Sequence, residues 1–420
     1  MGMVLVAALV GFGAGHYVAS PESAPRPPVD QVAAGAMSAE EAEAAVLDVL
    51  GEVDPFVRAS RLAGLLPTLD ASAAPVVGQL LFERIRDLRA GDVILLAQFW
   101  ALHEPKVAMN WALAVSPKGY RSAVVNPTMQ IWARLDPRAA QRHLGGAMSA
   151  FGPNTKTAQR ALVRGWFESG RPGLLEYIRD LGMSPERQRA ARELVRIRVA
   201  RDGSGAVVAW AEALSDDDER FKLTIYRQMA SELAIADPPA AVAWCEEHCD
   251  GPYGDNMLQL VAFGWAGRDG PATMEWLSKQ PAGRARNRAV QDAYSGWRRM
   301  DPREPWAWFE AIGIDGVEPW LIPGAEVYAK ELAWSDPPRG LTWLEVIEEP
   351  QRRENAIIAI AGAWRHRDEE AAEAWLEQSN LSEEARERAR STVASPRPKK
   401  ERPNREQPAN QWPAVNPILP

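Results

Sequence analysis

The sequence predicts an all-α protein, built as a right-handed α-solenoid of about ten helix-turn-helix repeats. Three observations support this. A similar phrase recurs about every 33 residues, each copy is centred on a hinge that usually carries Asp, and most tryptophans keep a fixed distance from that hinge. A period of this length is typical of stacked helical hairpins. One hairpin cannot bury its apolar stripe alone, so each repeat needs its neighbours.

The hinges define the repeat. They are Asp70, Glu104, Asp136, Gly170, Asp202, Asp237, Asp269, Asp301, Asp336 and Asp368. Successive hinges lie 32 to 35 residues apart, and Pro follows within two places in seven of the ten. Asp at an N-cap accepts hydrogen bonds from free backbone N–H groups, and Pro in the first turn has no N–H to lose. Each hinge is therefore predicted to end one helix and begin the next, with about 13 residues per helix.

Tryptophan is the most informative residue type, because thirteen of the 17 occupy repeat positions. Those four residues before a hinge are Trp100, Trp132, Trp166, Trp265, Trp297 and Trp364, and those seven or eight after it are Trp111, Trp210, Trp244, Trp276, Trp308, Trp343 and Trp375. Small Ala residues follow most hinges, which leaves room for close helix contact beside each large ring. We expect these tryptophans to form the core.

The flanking segments predict four regions. Residues 1–20 include 17 consecutive uncharged residues, Met3 to Ala19, which predicts a membrane anchor or an uncleaved signal. Positions 21–37 form a Pro/Ala-rich linker, 38–394 the repeat domain, and 395–420 a disordered, Pro-rich, basic tail. Within the repeat domain, Ser38 and Glu41 form a capping box that opens a first helix from Ser38 to about Leu50.

The charge pattern near the N-terminus bears on where the repeat domain lies. The first 30 residues hold a single basic side chain, Arg26, so little favours retention of the following domain in the cytoplasm. We therefore expect a membrane protein with a single N-terminal anchor and an extracytoplasmic, periplasmic body. A cytoplasmic-facing body is the open alternative.

The composition argues against several classes of function. There are 48 Lys and Arg against 56 Asp and Glu, a net charge of −8, which disfavours a nucleic-acid partner. No P-loop, HExxH or GxSxG pattern occurs, so neither an enzyme nor a cofactor is predicted. Two basic runs, Arg196–Arg198–Arg201 and Arg284–Arg286–Arg288, are interpreted as solvated helix faces.

Cys245, His248 and Cys249 form the one weak metal candidate. Their i, i+3, i+4 spacing would place all three on one side of a helix, where they could bind a soft metal. A fourth ligand is missing, so a structural or incidental role is favoured and no metal is predicted. A local disulfide is a further alternative if the domain is exported.

Trp306, Trp320 and Trp334 lie outside the two repeat positions. They fall within 302–334, where one interval lengthens to 35 residues and the phrase GIDGVEPWLIPG interrupts the helical pattern. Irregular loops on a rigid scaffold often carry binding sites, so an exposed cluster here could bind a peptide or a glycan. The alternative is a wider turn packed by its own tryptophan side chains.

The period and the hairpin architecture resemble those of the tetratricopeptide-like superfamily of helical repeats, over about residues 50–394. The resemblance is TPR-like or HEAT-like in architecture and does not extend to motif, since here Asp-Pro lies inside the unit and Trp precedes it. It implies a scaffold that binds a protein or peptide on its concave face. We therefore expect a non-catalytic, membrane-anchored scaffold for protein–protein interaction in the cell envelope. The alternative is an all-helical extracytoplasmic glycan- or peptide-binding protein, or an enzyme, with its site near residues 302–334.

Overall fold

The computed structural model describes residues 37–114, 121–146, 152–249 and 256–392. Within these ranges the protein is all-helical, with 22 α-helices and no strand. The chain divides into two compact units at Thr128. The predicted anchor at 1–20, the linker up to position 36, and the tail at 395–420 lie outside the described residues. None of the described helices combines the length and the apolar character needed to cross a membrane.

The first unit contains five helices and the start of a sixth. They are α1 (Ala39–Leu50), α2 (Pro55–Leu65), α3 (Ala74–Arg84), α4 (Ala90–His103), α5 (Pro105–Ala114) and α6 (Arg121–Leu135), which continues past the boundary. Helix α1 begins at the predicted capping box: Ser38 Oγ accepts from the Glu41 N–H at 3.2 Å, and Glu41 Oε2 accepts from the Ser38 N–H at 2.8 Å. The capping box confirms the predicted helix start, and its hydrogen bonds lower the pKa of Glu41.

The second unit contains sixteen further helices. They are α7 (Pro137–Gly146), α8 (Thr155–Ser169), α9 (Leu174–Asp180), α10 (Pro185–Asp202), α11 (Ser204–Glu212), α12 (Glu219–Ala236), α13 (Pro238–His248), α14 (Met257–Ala266), α15 (Gly270–Ser278), α16 (Arg284–Met300), α17 (Arg303–Ile312), α18 (Ile322–Leu332), α19 (Pro337–Trp343), α20 (Pro350–Arg365), α21 (Glu369–Gln378) and α22 (Glu383–Ser391). The odd-numbered helices span seven to 11 residues and most even-numbered ones are longer, up to 18. The expectation of about 13 residues in every helix is therefore wrong, because the helices alternate between short and long. Connecting segments such as 313–321 take up residues that the odd-numbered helices would otherwise contain.

The even-numbered helices of the second unit pack side by side. Each of α8, α10, α12, α14, α16, α18 and α20 contacts the next even helix, and the odd helices contact this row from the side. We call the helices α8 to α22 with even numbers the even row. Its remaining side is open to solvent, as the exposure of Arg160, Gln188 and Arg192 shows.

Four hinges have nearly the same backbone conformation. Asp237, Asp269, Asp336 and Asp368 have φ between −144 and −150° and ψ between 75 and 91°, and each carboxylate accepts a hydrogen bond from the N–H three residues on, at 3.0 to 3.3 Å. The predicted side-chain cap is present at these hinges, and each of them starts an odd helix.

Asp202 and Gly170 depart from this pattern. Asp202 is the last residue of α10 and contacts Arg198 and Arg201 instead of capping α11. Gly203, with φ 83°, stands at that N-cap. Gly170 closes α8 in the left-handed region, φ 66°, and α9 begins four residues later. The repeat spacing thus survives changes in the hinge chemistry.

The repeat-position tryptophans form aromatic pairs across the hinges. In four hairpins two tryptophan rings meet with centroids 5.6 to 6.2 Å apart: Trp100–Trp111, Trp265–Trp276, Trp297–Trp308 and Trp364–Trp375. Nine of the thirteen are buried, and Trp210, Trp265, Trp308 and Trp375 are partly exposed. The expectation that these rings form the core is confirmed for most of them.

Candidate functional site

The three predicted binding tryptophans lie in one layer but do not form a cluster of stacked rings. Trp306 is on α17, Trp320 is in the turn before α18, and Trp334 is in the turn after α18. All three are partly exposed. Among the described ring contacts, the one that involves any of them is the edge contact of Trp306 with Tyr328, at 6.3 Å.

Glu331 explains the position of Trp306. Its carboxylate accepts from Trp306 Nε1 at 3.0 Å and from the Tyr294 hydroxyl at 2.7 Å, and it pairs with Arg298. Burial, together with the Glu331 carboxylate, raises the pKa of Tyr294. The indole N–H of Trp306 is thus used inside the fold, where it ties α17 to α16 and α18.

The rest of this layer is packed internally in the same way. The Tyr328 ring stacks on Phe309 with centroids 5.2 Å apart, and its hydroxyl donates to Glu310, which also pairs with Arg339. Burial raises the pKa of Tyr328 to about 12. These contacts fill the layer with tyrosine, phenylalanine and charged side chains, whereas the alternative stated above was a turn packed by its own tryptophans.

The Cys245–His248–Cys249 set forms a disulfide. Cys245 and Cys249 are bonded to each other with their Cα atoms 4.8 Å apart. The His248 ring stacks on Trp244, its Nδ1 lies 3.1 Å from the Trp244 carbonyl oxygen, and its Nε2 lies 3.4 Å from a Glu212 carboxylate oxygen. Both sulfurs are engaged, and the described residues contain no group of three metal-ligating side chains.

The two basic runs both lie in the even row, on α10 and α16. Arg198, however, is not a solvated charge: its guanidinium lies 4.3 Å from the Trp210 ring centroid, and burial lowers its pKa. It stands four residues before the Asp202 hinge, where most other repeats have Trp. Arg201 lies over Phe167, at 4.2 Å. The interpretation of this run as a solvated face is therefore wrong for Arg198.

Charge is divided between the two sets of helices. The even helices α8, α10, α12, α14 and α16 carry 17 Lys and Arg against seven Asp and Glu. The odd helices α9, α11, α13, α15 and α17 carry two basic residues against eight acidic ones. The even row is thus locally basic in a chain of net charge −8.

A groove of about 380 Å³ opens on this basic side, between α10 and α12. We call it the arginine groove, and its polar lining consists of Gln188, Arg189, Arg192, Arg227, Gln228 and Ser231. Leu260 of α14 supplies apolar surface at its margin. Guanidinium groups bind carboxylates with two parallel hydrogen bonds, and amide side chains can both donate and accept.

Ion pairs and hydrogen bonds hold the arginine groove in shape. Arg192 Nε lies 3.2 Å from a Glu232 carboxylate oxygen, and its Nη2 donates to Ser231 Oγ at 3.2 Å. Burial raises the pKa of Glu232, although Arg192 and the nearby Arg196 oppose that shift. The Nε of Arg227 is buried and has no hydrogen-bond partner among the described residues.

The sites predicted from the sequence do not include the arginine groove, although the repeat register contains a signal for it. Arg160, Arg192 and Arg227 each stand ten residues before their hinge, at Gly170, Asp202 and Asp237. We call these three residues the arginine ladder. Gln259 and Gln291 occupy the same position in the next two repeats. Comparisons of the chain with protein-family models, with curated proteins and with solved structures find no match.

Proposed function

We propose that the protein is a non-catalytic helical-repeat scaffold that binds a protein partner on the exposed side of the even row. The observation that carries this proposal is the arginine groove, which lies on the open, locally basic side of that row. Clustered arginine and glutamine side chains suit the binding of polypeptide segments, because they hydrogen-bond carboxylates and backbone amide groups. Repeat proteins use extended faces of this kind for recognition.

The architecture that we propose is a right-handed α-solenoid, similar to tetratricopeptide-like repeats, with the exposed side of the even row as its concave face. Recurrent hinge geometry, paired aromatic rings across the hinges and the continuous even row support this proposal. Each is what we would expect of one hairpin repeated along the chain, with every copy burying its apolar stripe against the next.

For location, we propose a membrane-anchored body on the extracytoplasmic side. The uncharged segment Met3 to Ala19 supports the anchor. The Cys245–Cys249 disulfide supports the extracytoplasmic side, because such bonds persist in oxidising compartments. The alternative of a glycan or catalytic site near 302–334 has less support, since the indole N–H of Trp306 already donates a hydrogen bond to Glu331 within the fold.

A crosslinking pull-down from native membranes tests the proposed function. We expect the tagged full-length chain to recover a discrete protein, and a chain that lacks residues 1–37 to lose it. The double substitution Arg192→Glu with Arg227→Glu should abolish recovery. The control, Arg134→Glu with Lys279→Glu, reverses two positive charges at exposed sites outside the arginine groove and should leave recovery intact. Equal recovery by both double variants would reject the even row as the binding surface.

A further inference from the structure

The arginine ladder runs across three neighbouring helices. Arg160 is on α8, Arg192 on α10 and Arg227 on α12, and these helices pack in that order in the even row. Because the three residues share one register position, we expect their side chains to emerge at matching places on successive helices. Packed helices lie about 8–10 Å apart, so the ladder offers one positive group per helix at about that spacing.

An extended peptide can match that spacing. In a polyproline II conformation the chain advances about 3.1 Å per residue with three residues per turn. Every third side chain therefore points the same way, about 9 Å from the last. A segment with Asp or Glu at every third position, lying across the helices, would present its carboxylates at the spacing of the arginine ladder.

Other features of the arginine groove favour a peptide over a nucleic acid. Gln188 and Gln228 supply both donors and acceptors, which suit backbone amide groups. Glu232, which is partly exposed, interrupts the basic side where it pairs with Arg192. A nucleic acid carries a phosphate at every nucleotide and would meet this negative charge, whereas a peptide can place a neutral residue opposite it.

One aromatic ring of the even row, that of Phe167, is not available for base stacking. Single-stranded nucleic acids bind by stacking bases on exposed rings. Phe167, on α8, lies under the guanidinium groups of Arg198 and Arg201 instead.

We propose that the arginine ladder binds an extended acidic peptide segment with carboxylates at every third residue. This inference rests on the proposed function and names the chemistry of the partner at that same surface. Arg192 and Arg227 bind the carboxylates from within the arginine groove, and Arg160 binds the next one along the row. Gln188 and Gln228 bind the peptide backbone between them.

Fluorescence anisotropy with the full-length chain tests this proposal. The probe is a labelled 12-residue peptide that repeats Glu-Ala-Pro four times. One control peptide repeats Gln-Ala-Pro, and a second has the same composition as the probe with its four Glu residues placed together. We expect the probe to bind at least tenfold more tightly than the Gln peptide and several-fold more tightly than the clustered one, with an affinity that falls as salt rises. Equal binding of all three peptides would overturn the proposal.

Substitutions in the arginine ladder test whether the probe binds at these residues. Arg192→Gln with Arg227→Gln should weaken probe binding at least tenfold, because two charge-assisted contacts are lost. The matched control, Arg134→Gln with Lys279→Gln, removes two positive charges elsewhere and should bind within twofold of the natural chain. If the groove variant fails to fold, Arg192→Lys with Arg227→Lys keeps both charges and should give an intermediate loss, since Lys lacks the planar fork. Unchanged binding in the groove variant, or in the Lys variant that replaces it, would contradict the proposal.

Three further outcomes bear on the two proposals. Tighter binding of a 12-nucleotide oligothymidylate than of the probe would overturn the proposal in favour of a nucleic-acid surface. If a protein partner crosslinks to the even row while the acidic probe does not bind, the peptide chemistry is wrong and the scaffold function stands. If neither occurs, both proposals fail.

Discussion

Trp166 is the most deeply buried of the tryptophans that precede a hinge. Its ring is 0% exposed, stacks on Tyr177 with centroids 5.5 Å apart, and carries the Arg138 guanidinium at 4.9 Å on its face. Trp265 occupies the same repeat position and is partly exposed. We therefore expect the same repeat position to contribute differently to the free energy of unfolding in different copies, because neighbouring helices cover the ring to different extents.

Substitution of these two tryptophans measures that difference. Trp166→Ala should lower the free energy of unfolding by about 3–5 kcal/mol, because it leaves a large cavity in a packed layer. Trp265→Ala should cost less, since part of its ring already contacts water. Urea unfolding of the two variants checks this. A cost for Trp265→Ala equal to or above that of Trp166→Ala would show that burial does not set the energetic weight of the ring.

Asp301 shows how a hinge responds to pH. Its carboxylate accepts hydrogen bonds from the Arg303 guanidinium and from the Arg303 backbone N–H, the latter at 2.9 Å. These contacts lower the pKa of Asp301 below the usual 3.8. A lowered pKa in the folded state means that the charged form stabilises the fold. That stability is present above about pH 4 and is lost as the pH falls through the folded-state pKa.

We expect Asp301→Ala to be less stable than the natural chain at pH 7 and to approach it in stability below pH 4. Asp301→Asn is the matched control, because Asn also caps helices but does not titrate. Its difference from Asp301→Ala should not fade with acid. Thermal unfolding between pH 3 and pH 7 measures both differences. A gap between the natural chain and Asp301→Ala that stays constant down to pH 3 would contradict this role.

At the scale of single residues, local sequence rules predict contacts within one helical turn. They do not reveal which residues from distant parts of the chain come into contact. Ser38 and Glu41 could be assigned because a capping box is contained within four residues. The hydrogen bond from Trp306 to Glu331 joins two helices, and its partners lie 25 residues apart in the sequence. No local rule therefore reveals it. The stacking of Arg198 on Trp210 did leave a signal in the repeat alignment, since Arg198 stands at a Trp position.

At the scale of helices, glycine sets how closely the even-numbered helices pack, from α6 onwards. Gly165, Gly264 and Gly296 each lie five residues before their hinge. A Cβ atom at Gly165 would lie 2.1 Å from the Gln130 carbonyl oxygen, and one at Gly296 would lie 2.2 Å from the Phe263 carbonyl oxygen. Helix backbones therefore touch directly at these points, where no side chain fits.

Gly296→Ala should destabilise the second unit by about 1–3 kcal/mol, because α14 and α16 must move apart to admit the methyl group. Gly205→Ala is the matched control: Gly205 is helical and nothing lies within 4 Å of its Cβ position. That change should be neutral or stabilising by up to about 1 kcal/mol. Chemical denaturation of both variants checks the contrast. A Gly296→Ala protein as stable as the natural chain would show that the helices can separate at no cost.

Helix boundaries can be predicted from the sequence where the hinge is an Asp-Pro pair. At other hinges the prediction fails. Asp237 and Asp336 could be assigned as helix starts, because capping and the fixed φ of Pro act within one turn. The start of α9, four residues after Gly170, could not, since a left-handed glycine ends a helix without starting the next one. Helix lengths were also missed, because they depend on how the connecting segments pack.

At the scale of the whole molecule, the distribution of charge matters more than its sum. A net charge of −8 argues against a basic binding surface, but it averages basic even helices with acidic odd ones. The sequence contains the positions of every charge, and the hairpin register would have separated the two sets. What it could not provide is the identity of the exposed side of the even row, which depends on how successive hairpins stack.

Site-specific photocrosslinking tests the central claim, that the exposed side of the even row binds a protein partner. A photoreactive residue is placed at Gln228, in the arginine groove, or at Glu275, which is exposed on the odd helix α15, within the full-length protein in native membranes. We expect one discrete crosslinked protein from position 228 and none from position 275. Crosslinking from position 275 without any from position 228 would contradict it.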